Sequence, residues 1–326
     1  MNVTVLGAGA WGTALGLVLH QNGHAITVWG HDPDHVENMR RSRRNEAYLP
    51  GIPIPDDWRF ESSAERAAVG ADLLLMVVPS KAFRDVARAL GSVRSPIVTA
   101  TKGIDFETGL TMGGVLASIF PGVPIAALSG PSLAPEVARG VPTAVVAACP
   151  DGSTAAQVQA AFHRPQFRVY RSTDRLGVEL GGALKNIIAI GAGVCDGLGF
   201  GDNSKAALVT RGQAEIRRLG VACGARSETF SGLSGLGDLT VTCFSRMSRN
   251  RGLGERLGRG DTLAQAVAAT ASIAEGVPTC SAAVRLADTR GVEVPIIREI
   301  HAMLFESKDV RQGVRDLLAR DLKAED

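Results

Sequence analysis

The chain has 326 residues, a length that suits two domains better than one hydrophobic core. Hydrophobic residues make up 45% of the chain and charged residues 21%, which is typical of a folded protein and excludes an intrinsically disordered one. The 35 basic residues nearly balance the 33 acidic residues, and the net charge of +2 indicates no extended basic surface for nucleic acid or an anionic membrane. An anionic ligand must therefore be held by a local cluster of residues.

The five cysteines are widely spaced and form no CxxC pair, so the sequence predicts neither a metal site nor a disulfide framework. The chain begins directly with a strand pattern and has no basic segment followed by a cleavage site, so we expect a protein of the reducing cytoplasm. The most apolar segment, residues 176–198, contains Glu179, Lys185 and Asp196. We therefore expect a buried helix there, and no membrane insertion.

Short apolar runs alternate with helical patterns through the first half of the chain. The runs are rich in β-branched residues and end at Gly, Pro or polar residues, as strands do. They cover Val3–Leu6, Ile26–Trp29, Leu73–Val78, Ile97–Ala100, Ile125–Leu128 and Ala144–Ala147. Helical patterns between them include Trp11–Gln21 and Pro33–Arg43. Alternation of this kind predicts an α/β fold with a parallel, doubly wound sheet.

The pattern changes near Thr173, after which long helical segments replace the strands. They cover Arg175–Val194, Ser204–Leu219, Thr262–Ala269, Pro278–Thr289, Pro295–Phe305 and Val310–Leu318. Asp261 is an expected N-cap, and Gly291 is an expected C-terminal stop. We predict an α/β domain over residues 1–175 and an all-helical domain over residues 176–326.

A glycine-rich loop, GAGAWG at residues 7–12, directly follows the first predicted strand and opens the first helix. In this G-x-G-x-x-G spacing, Gly7 permits a tight turn, Gly9 lets a pyrophosphate approach the backbone, and Gly12 lets the helix pack closely on the strand. The helix N-terminus adds free N–H groups and the positive end of the helix dipole. The first domain is therefore predicted to be a Rossmann-type domain that binds NAD or NADP.

The end of the second predicted strand leaves the choice between NADH and NADPH open. An acidic residue about 20 residues after the glycine loop favours NAD, because it accepts a hydrogen bond from the ribose 2′-hydroxyl. The usual position holds Gly30, with His31 and Asp32 beyond it. Asp32 suits the 2′-hydroxyl and His31 suits a 2′-phosphate, so the sequence is compatible with either coenzyme.

Lys185 lies within an apolar helical segment, LGGALKNIIAI at residues 180–190. Adjacent glycines are costly in a helix, about 1 kcal/mol each relative to Ala, and Gly181 lies one turn before Lys185, where it is expected to leave room beside the ammonium. Burial lowers the pKa of a lysine, and such a lysine can donate a proton to the alkoxide formed in carbonyl reduction. The alternative is a lysine whose charged end reaches solvent from an otherwise buried helix.

Together with motifs elsewhere in the chain, these residues resemble the bacterial-type NAD(P)-dependent glycerol-3-phosphate dehydrogenase family. The likeness extends through almost the whole chain. Its motifs are GAGAWGTAL at 7–15, WGHD at 29–32, VPS at 78–80, ATKG at 100–103, SGPS at 129–132, GGALKNIIAIGAG at 181–193, TRG at 210–212, GLGDLTVTC at 235–243, SRNR at 248–251 and EG at 275–276. The resemblance implies reversible NAD(P)H-dependent reduction of dihydroxyacetone phosphate to sn-glycerol 3-phosphate, a phospholipid precursor.

The resemblance also implies that the helical domain is the substrate and catalytic domain, and it implies three catalytic residues. Lys185 is the expected proton donor in reduction and the proton acceptor in the reverse direction. Lys102 is expected to lie between cofactor and substrate and to polarise the carbonyl. Asp238 is expected to hold a substrate hydroxyl and to orient the Lys185 ammonium. No metal is expected.

The resemblance assigns two sets of binding residues. The expected cofactor contacts are Gly7, Gly9, Ala10, Trp11, Gly12, His31, Lys102, Ala134, Arg249, Ile273 and Glu275. The expected substrate contacts are Lys102, Gly130, Ser132, Lys185, Asp238, Ser248, Arg249 and Asn250. Residues 248–250 are expected to hold the phosphate, since a planar guanidinium and two neutral hydrogen-bonding side chains suit that group.

Two other functions stay open from the sequence alone. A two-domain dehydrogenase acting on a 3-hydroxy acid has a similar architecture, but it requires a carboxylate site and does not depend on residues 248–250. A non-catalytic NAD(P)-binding sensor requires only the glycine loop, and the retention of Lys185 and Asp238 argues against it. A homodimer is expected because most soluble oligomers are symmetric, and the expected partner is a small phosphorylated substrate, not nucleic acid.

Overall fold

The computed structural model describes residues 1–269 and 274–321 of the chain. Within them, an eight-stranded sheet and a two-stranded ribbon form the first half. The strands are β1 (Asn2–Leu6), β2 (Ala25–Trp29), β3 (Arg44–Asn45), β4 (Leu49–Pro53), β5 (Arg59–Glu61), β6 (Leu73–Met76), β7 (Ile97–Thr99), β8 (Ile125–Ser129), β9 (Thr143–Ala148) and β10 (Phe167–Ser172). The sheet has the order β10-β9-β8-β7-β6-β1-β2-β5, and β3 pairs with β4. The chain moves outward from β1 first on one side and then on the other, as in a doubly wound sheet.

Helices connect most of these strands. They are α1 (Ala10–Gln21), α2 (Pro33–Ser42), α3 (Ala64–Ala68), α4 (Ser80–Arg88), α5 (Met112–Ile119), α6 (Ala134–Ala138) and α7 (Gly152–Phe162). Side-chain N-caps begin several of them, such as Asp32 at α2, Ser63 at α3 and Thr111 at α5. Gly9 precedes α1, and among the described residues no side chain caps that helix. Its first N–H groups are therefore available to a ligand.

The sheet is parallel except at one boundary. Strands β8 and β9 run antiparallel and β10 is parallel to β9, so the last two strands oppose the other six. Residues 130–142 between β8 and β9 hold only the short helix α6, and this connection turns the chain back at one end of the sheet instead of crossing over it. The α/β, doubly wound class predicted from the sequence is confirmed, but the expectation of a wholly parallel sheet is wrong at β9 and β10.

Strand residues are buried on both faces of the sheet. On β6, Leu73 and Leu75 join one apolar cluster, whereas Leu74 and Met76 join the other. Helices α1 and α7 cover the first face, and helices α3, α4 and α5 cover the second. Because both faces are covered, a ligand reaches this sheet at the ends of its strands.

Helices form the second half of the chain over its described residues. They are α8 (Arg175–Gly197), α9 (Asp202–Ala222), α10 (Asp238–Phe244), α11 (Arg249–Gly258), α12 (Leu263–Ala268), α13 (Gly276–Arg290), α14 (Pro295–Phe305) and α15 (Val310–Leu318), with a 3₁₀ turn at Ser227–Ser231 and a π-helical turn at Leu233–Gly237. Gly291 ends α13 with a φ of 62°, as predicted. The prediction of Asp261 as an N-cap is wrong, because Thr262 caps α12 and forms a capping box with Gln265.

Helix α8 runs through the centre of the helical half. Residues 177–195 are buried, and α9, α10, α11 and α13 pack around them. A β-carbon on Gly193 of α8 or on Gly254 of α11 would overlap a backbone carbonyl oxygen of the facing helix, so these glycines allow close contact. By length and composition α8 could span a membrane, but every residue of its apolar window is buried in the fold. The expectation of a buried helix is therefore confirmed.

Candidate active site

Three charged side chains from different elements meet at one point. Lys102 follows β7, Lys185 lies in the middle of α8, and Asp238 is the first residue of α10. Lys185 Nζ lies 2.6 Å from Asp238 Oδ1, and Lys102 Nζ lies 2.6 Å from Asp238 Oδ2. The Asp238 and Lys185 side chains are 1% and 7% exposed, so this charge cluster is buried, unlike a surface ion pair. The structure brings together the three residues that the sequence analysis suggested as catalytic.

Two adjacent glycines of α8 let the cluster form. A β-carbon at Gly181 would lie 2.7 Å from the Ser234 carbonyl oxygen, in the π-helical turn that leads into α10. A β-carbon at Gly182 would lie 2.5 Å from Ser129 Oγ, at the end of β8. The sequence analysis expected Gly181 to leave room beside the Lys185 ammonium, and the backbone of the turn before α10 occupies the space that the missing side chain leaves.

Burial and neighbouring charges together set the proton affinity of Lys185. Burial lowers the pKa of Lys185 to about 8, the Asp238 carboxylate opposes this change, and the Lys102 ammonium adds to it. A group whose pKa is close to the working pH can both donate and accept a proton in catalysis. Lys185 therefore has the acidity that a reversible proton transfer near neutral pH requires.

The cluster has a fourth member that the sequence analysis missed. Lys185 Nζ donates to Thr242 Oγ1 at 2.5 Å, and the Thr242 hydroxyl donates to the Asp238 carbonyl oxygen at 2.6 Å. Thr242 lies four residues after Asp238 on one helix, a spacing that places both on the same face. An ammonium carries three protons. Asp238 and Thr242 accept two of them, which leaves the third for a ligand.

The turn after β8 borders Lys102. Gly130 has a φ of +148°, and a β-carbon there would lie 2.9 Å from Val145 Cα, so this position requires glycine. The Gly130 carbonyl oxygen accepts from Lys102 Nζ at 3.4 Å and from Ser132 Oγ at 2.9 Å. The structure thus brings Gly130 and Ser132 to the cluster, whereas Ala134 begins α6, which packs against α1.

Ser248 and Arg249 stand at the start of α11. Ser248 is the N-cap, and its hydroxyl oxygen accepts from the Arg251 backbone N–H at 3.2 Å, which leaves the hydroxyl proton free to be donated. Arg249 is exposed, and it forms no hydrogen bond or ion pair with the residues that the structure describes. Its guanidinium is therefore available to an anionic ligand.

Asn250 has a structural role that the sequence did not indicate. Its Nδ2 donates to Asn186 Oδ1 at 3.0 Å, and its Oδ1 accepts from the Gly276 backbone N–H at 2.9 Å. These bonds tie α11 to α8 and to the start of α13. Asn250 keeps one amide proton for a ligand, and Asn186, which the sequence analysis missed, holds its orientation.

The glycine loop has space for a pyrophosphate in front of α1. Gly7 has a φ of +134°, and a β-carbon there would lie 2.6 Å from a carbonyl oxygen of the segment after β6. A β-carbon on Gly12 would overlap the Gly7 carbonyl oxygen, whereas one on Gly9 would meet none of the described residues within 4 Å. The first turn of α1, which includes Ala10 and Trp11, holds no acidic residue. These features fit a dinucleotide phosphate at this helix N-terminus.

The end of β2 is compatible with either coenzyme. A β-carbon at Gly30 would lie 2.8 Å from Ala8 Cβ, so an acidic side chain cannot occupy the usual NAD-selecting position. Asp32 is exposed and caps α2, with Oδ1 accepting from the Asp34 backbone N–H at 3.0 Å. His31 is exposed beside it.

Glu275 contacts the sheet half at the start of α4. Its Oε1 accepts from the Ser80 backbone N–H at 3.1 Å, and its Oε2 accepts from the Ser80 hydroxyl at 2.5 Å. Ser80 follows the carboxyl end of β6, and the sequence analysis quoted it only as part of the VPS motif, without a role. Ile273 lies outside the described residues. The candidates that follow β1, β2, β7 and β8 share one edge of the sheet with Ser80, where ligands bind in folds of this type.

Comparison with known proteins gives a consistent result over the chain. The family model described as NAD-dependent glycerol-3-phosphate dehydrogenase N-terminus matches residues 2–155, and the model of the C-terminus matches residues 174–315. The chain is 47% identical to the glycerol-3-phosphate dehydrogenase [NAD(P)+] of Geobacter sulfurreducens, over 99% of this chain and 98% of that one. It is also 47% identical to the protein of the same name from Chlorobium limicola, over 100% and 99%. The crystal structure of glycerol-3-phosphate dehydrogenase from Coxiella burnetii superposes with a TM-score of 0.94 at 39% identity, covering 98% of this chain and 99% of that chain.

Proposed function

The chain belongs to the family of NAD-dependent glycerol-3-phosphate dehydrogenases, and from this premise we propose that it reduces dihydroxyacetone phosphate to sn-glycerol 3-phosphate, reversibly, with NADH or NADPH. The observation that carries the proposal is the buried cluster in which Asp238 contacts both Lys185 and Lys102 at 2.6 Å. A site for a ketone requires a proton donor and a group that polarises the carbonyl. The two ammonium groups of the cluster supply both.

Residues 1–175 form the dinucleotide-binding domain in this proposal, and residues 176–326 form the substrate and catalytic domain. The glycine loop, Gly7 to Gly12 with Ala10 and Trp11, would hold the pyrophosphate, and His31 would lie beside the adenosine ribose. Lys102, Ala134, Arg249, Ile273 and Glu275 would complete the cofactor contacts. The bound nicotinamide supplies the hydride for the carbonyl carbon.

Lys185 donates the proton that neutralises the carbonyl oxygen in reduction, and it accepts that proton in the reverse direction. Asp238 and Thr242 accept two protons of the Lys185 ammonium, so the third is directed to the ligand. Asp238 also holds the substrate hydroxyl. Lys102 stabilises negative charge as it develops on the oxygen, because its ammonium is fixed between Asp238 Oδ2 and the Gly130 carbonyl oxygen.

The substrate phosphate is held by Ser248, Arg249 and Asn250. Arg249 supplies the positive charge, and the other two supply one donated hydrogen bond each. Gly130 and Ser132 contact the three-carbon part of the substrate. A 3-hydroxy acid has no phosphate for these residues, and family membership favours the phosphorylated ketone.

We extend the proposal to the cell. The product is a phospholipid precursor, and the enzyme would supply it in the cytoplasm as a metal-free homodimer that inserts into no membrane and binds no nucleic acid. Symmetric dimers are the commonest oligomers. Light scattering on the purified chain tests this part, since a monomer mass would contradict it.

The reaction is tested by the loss of absorbance at 340 nm with dihydroxyacetone phosphate, in parallel with NADH and NADPH. Unphosphorylated dihydroxyacetone is the control substrate. Rapid oxidation of the coenzyme with the phosphorylated ketone alone supports the proposal, and the ratio of the two rates gives the coenzyme preference. A chain that binds NADH or NADPH but oxidises neither would contradict it.

A further inference from the structure

Two hydrogen bonds join the start of α4 in the sheet half to Glu275, the residue before α13 in the helical half. Both Glu275 carboxylate oxygens accept hydrogen bonds from Ser80, one from the backbone N–H at 3.1 Å and one from the hydroxyl at 2.5 Å. The two residues are 195 positions apart in the chain. Two bonds from one residue orient the carboxylate as well as binding it.

Glu275 occupies the N-terminus of α4. The residue before that helix is Pro79, which has no side-chain cap to offer, and the first turn of α4 contains no acidic residue. A carboxylate at this end of a helix satisfies a free N–H group and interacts favourably with the helix dipole. Glu275 therefore serves as the cap of α4, although it belongs to the other half of the molecule.

The charge of Glu275 depends on these bonds. Burial raises the pKa of Glu275, whereas the hydrogen bonds from the Ser80 hydroxyl and backbone oppose that rise. Arg249 on α11 is the charged group that acts on Glu275 among the described residues, and it also lowers the pKa. Loss of the Ser80 hydroxyl removes one of the forces that keep this carboxylate ionised.

Ser80 also touches the loop that carries Lys102. A β-carbon on Gly103 would lie 2.5 Å from Ser80 Cβ, so the two backbones are in close contact. The Thr101 hydroxyl donates to the Val78 carbonyl oxygen at 2.7 Å, just before Ser80. The turn between β6 and α4 thus sets the position of Lys102 on one side and of Glu275 on the other.

We propose that Ser80 is a positioning residue that holds Glu275 as a fixed, ionised carboxylate at the nicotinamide end of the cofactor crevice. The inference rests on the proposed function, in which Glu275 contacts the nicotinamide. An ionised carboxylate accepts hydrogen bonds strongly, so a carboxamide donor finds a better partner in the charged form than in the protonated form. Dinucleotide affinity then depends on the ionisation of Glu275, and through it on the Ser80 hydroxyl.

The test is a fluorescence titration with NADH and with NADPH between pH 5 and pH 9, without substrate. In the wild-type chain the Kd should rise as the pH falls through the pKa of Glu275. In Ser80→Ala the midpoint of this change should move upward by about one pH unit, with up to about tenfold weaker binding between the two midpoints. Ser80→Thr keeps the hydroxyl and should restore the wild-type midpoint. In Glu275→Gln, which cannot ionise, the pH step should vanish, and adding Ser80→Ala should change nothing further.

An unchanged midpoint in Ser80→Ala overturns the inference. So does a Kd that is weaker by the same factor at every pH, because that pattern indicates a general disturbance of the fold. Additive effects of Ser80→Ala and Glu275→Gln overturn it too. Failure of the wild-type chain to reduce dihydroxyacetone phosphate contradicts the proposed function instead, and it is measured separately from these titrations.

Discussion

The two halves of the molecule prepare for ligands in different ways. The glycine loop presents backbone N–H groups, and a β-carbon on Gly9 would have no neighbour within 4 Å in the part of the chain that the structure describes. The helical half instead buries charge, since the Asp238 side chain is 1% exposed and contacts two ammonium groups. Backbone groups bind a phosphate with little help from side chains, whereas a buried cluster depends on each of its charges. Substitutions that remove a charged side chain should therefore have their largest effect on function in the helical half. Substitutions that add a side chain should have their largest effect in the glycine loop.

Lys185→Ala should have the largest effect on turnover. Without the proton donor, kcat for reduction should fall about 10²–10⁴-fold, while NADH and NADPH still bind, because the glycine loop is untouched. Steady-state kinetics and dinucleotide titration measure the two quantities. Lys205→Ala is the matched control, since Lys205 is also buried in the helical half but pairs with Asp196. This variant should have a lower free energy of unfolding and an unchanged kcat. Near-normal turnover in Lys185→Ala would remove the proposed proton donor.

Arg249→Ala should weaken substrate binding more than it lowers kcat. Loss of a charged hydrogen-bond donor to the phosphate is expected to raise the KM for dihydroxyacetone phosphate by about 10–100-fold. The control is Arg246→Ala, which removes an exposed arginine three residues earlier and should leave KM unchanged. Equal effects of the two substitutions on KM would contradict the phosphate contact.

Gly7→Ala and Gly9→Ala should separate folding from binding in the glycine loop. Gly7 has a φ of +134° and no space for a β-carbon, so Gly7→Ala should lower the free energy of unfolding by about 1–3 kcal/mol. Gly9→Ala should leave stability nearly unchanged and weaken dinucleotide binding, because its methyl group enters the pyrophosphate space. Denaturant unfolding and NADH titration distinguish the two. If Gly7→Ala and Gly9→Ala lose the same free energy of unfolding, Gly9 does not have free space for a β-carbon.

Thr242→Val should have the smallest effect of the set. It removes a 2.5 Å hydrogen bond from the Lys185 ammonium and keeps the shape of the side chain, so kcat should fall by up to about tenfold. Thr242→Ser keeps the hydroxyl and should retain most of the activity. If Thr242→Val and Thr242→Ser lose the same fraction of kcat, the hydroxyl does not position the ammonium.

Short-range features of the fold could be predicted from the sequence. The glycine loop is contiguous, and its position between β1 and α1 follows from local patterns. The same holds for Gly291, whose φ of 62° ends α13. Local reasoning fails where two neighbouring residues compete, as when Thr262 and not Asp261 caps α12, because the partner Gln265 decides between them.

Contacts between distant parts of the chain could not be predicted in the same way. The reversal at β9 depends on how residues 130–142 cross the end of the sheet, and no local pattern records that path. The contact between Ser80 and Glu275 spans 195 positions and has no shared motif. Thr242 is the instructive exception, since its spacing of four from Asp238 on a helix was available in the sequence.

The most direct test of the central claim is the pH dependence of kcat in both directions, in wild type and Lys185→Ala. Reduction requires protonated Lys185, so kcat for dihydroxyacetone phosphate should fall as the pH rises through the Lys185 pKa of about 8. Oxidation of sn-glycerol 3-phosphate requires the neutral amine, so its kcat should rise over the same range, and both changes should disappear in Lys185→Ala. If the two directions respond to pH in the same sense, or if both changes persist without Lys185, then Lys185 is not the group that transfers the proton.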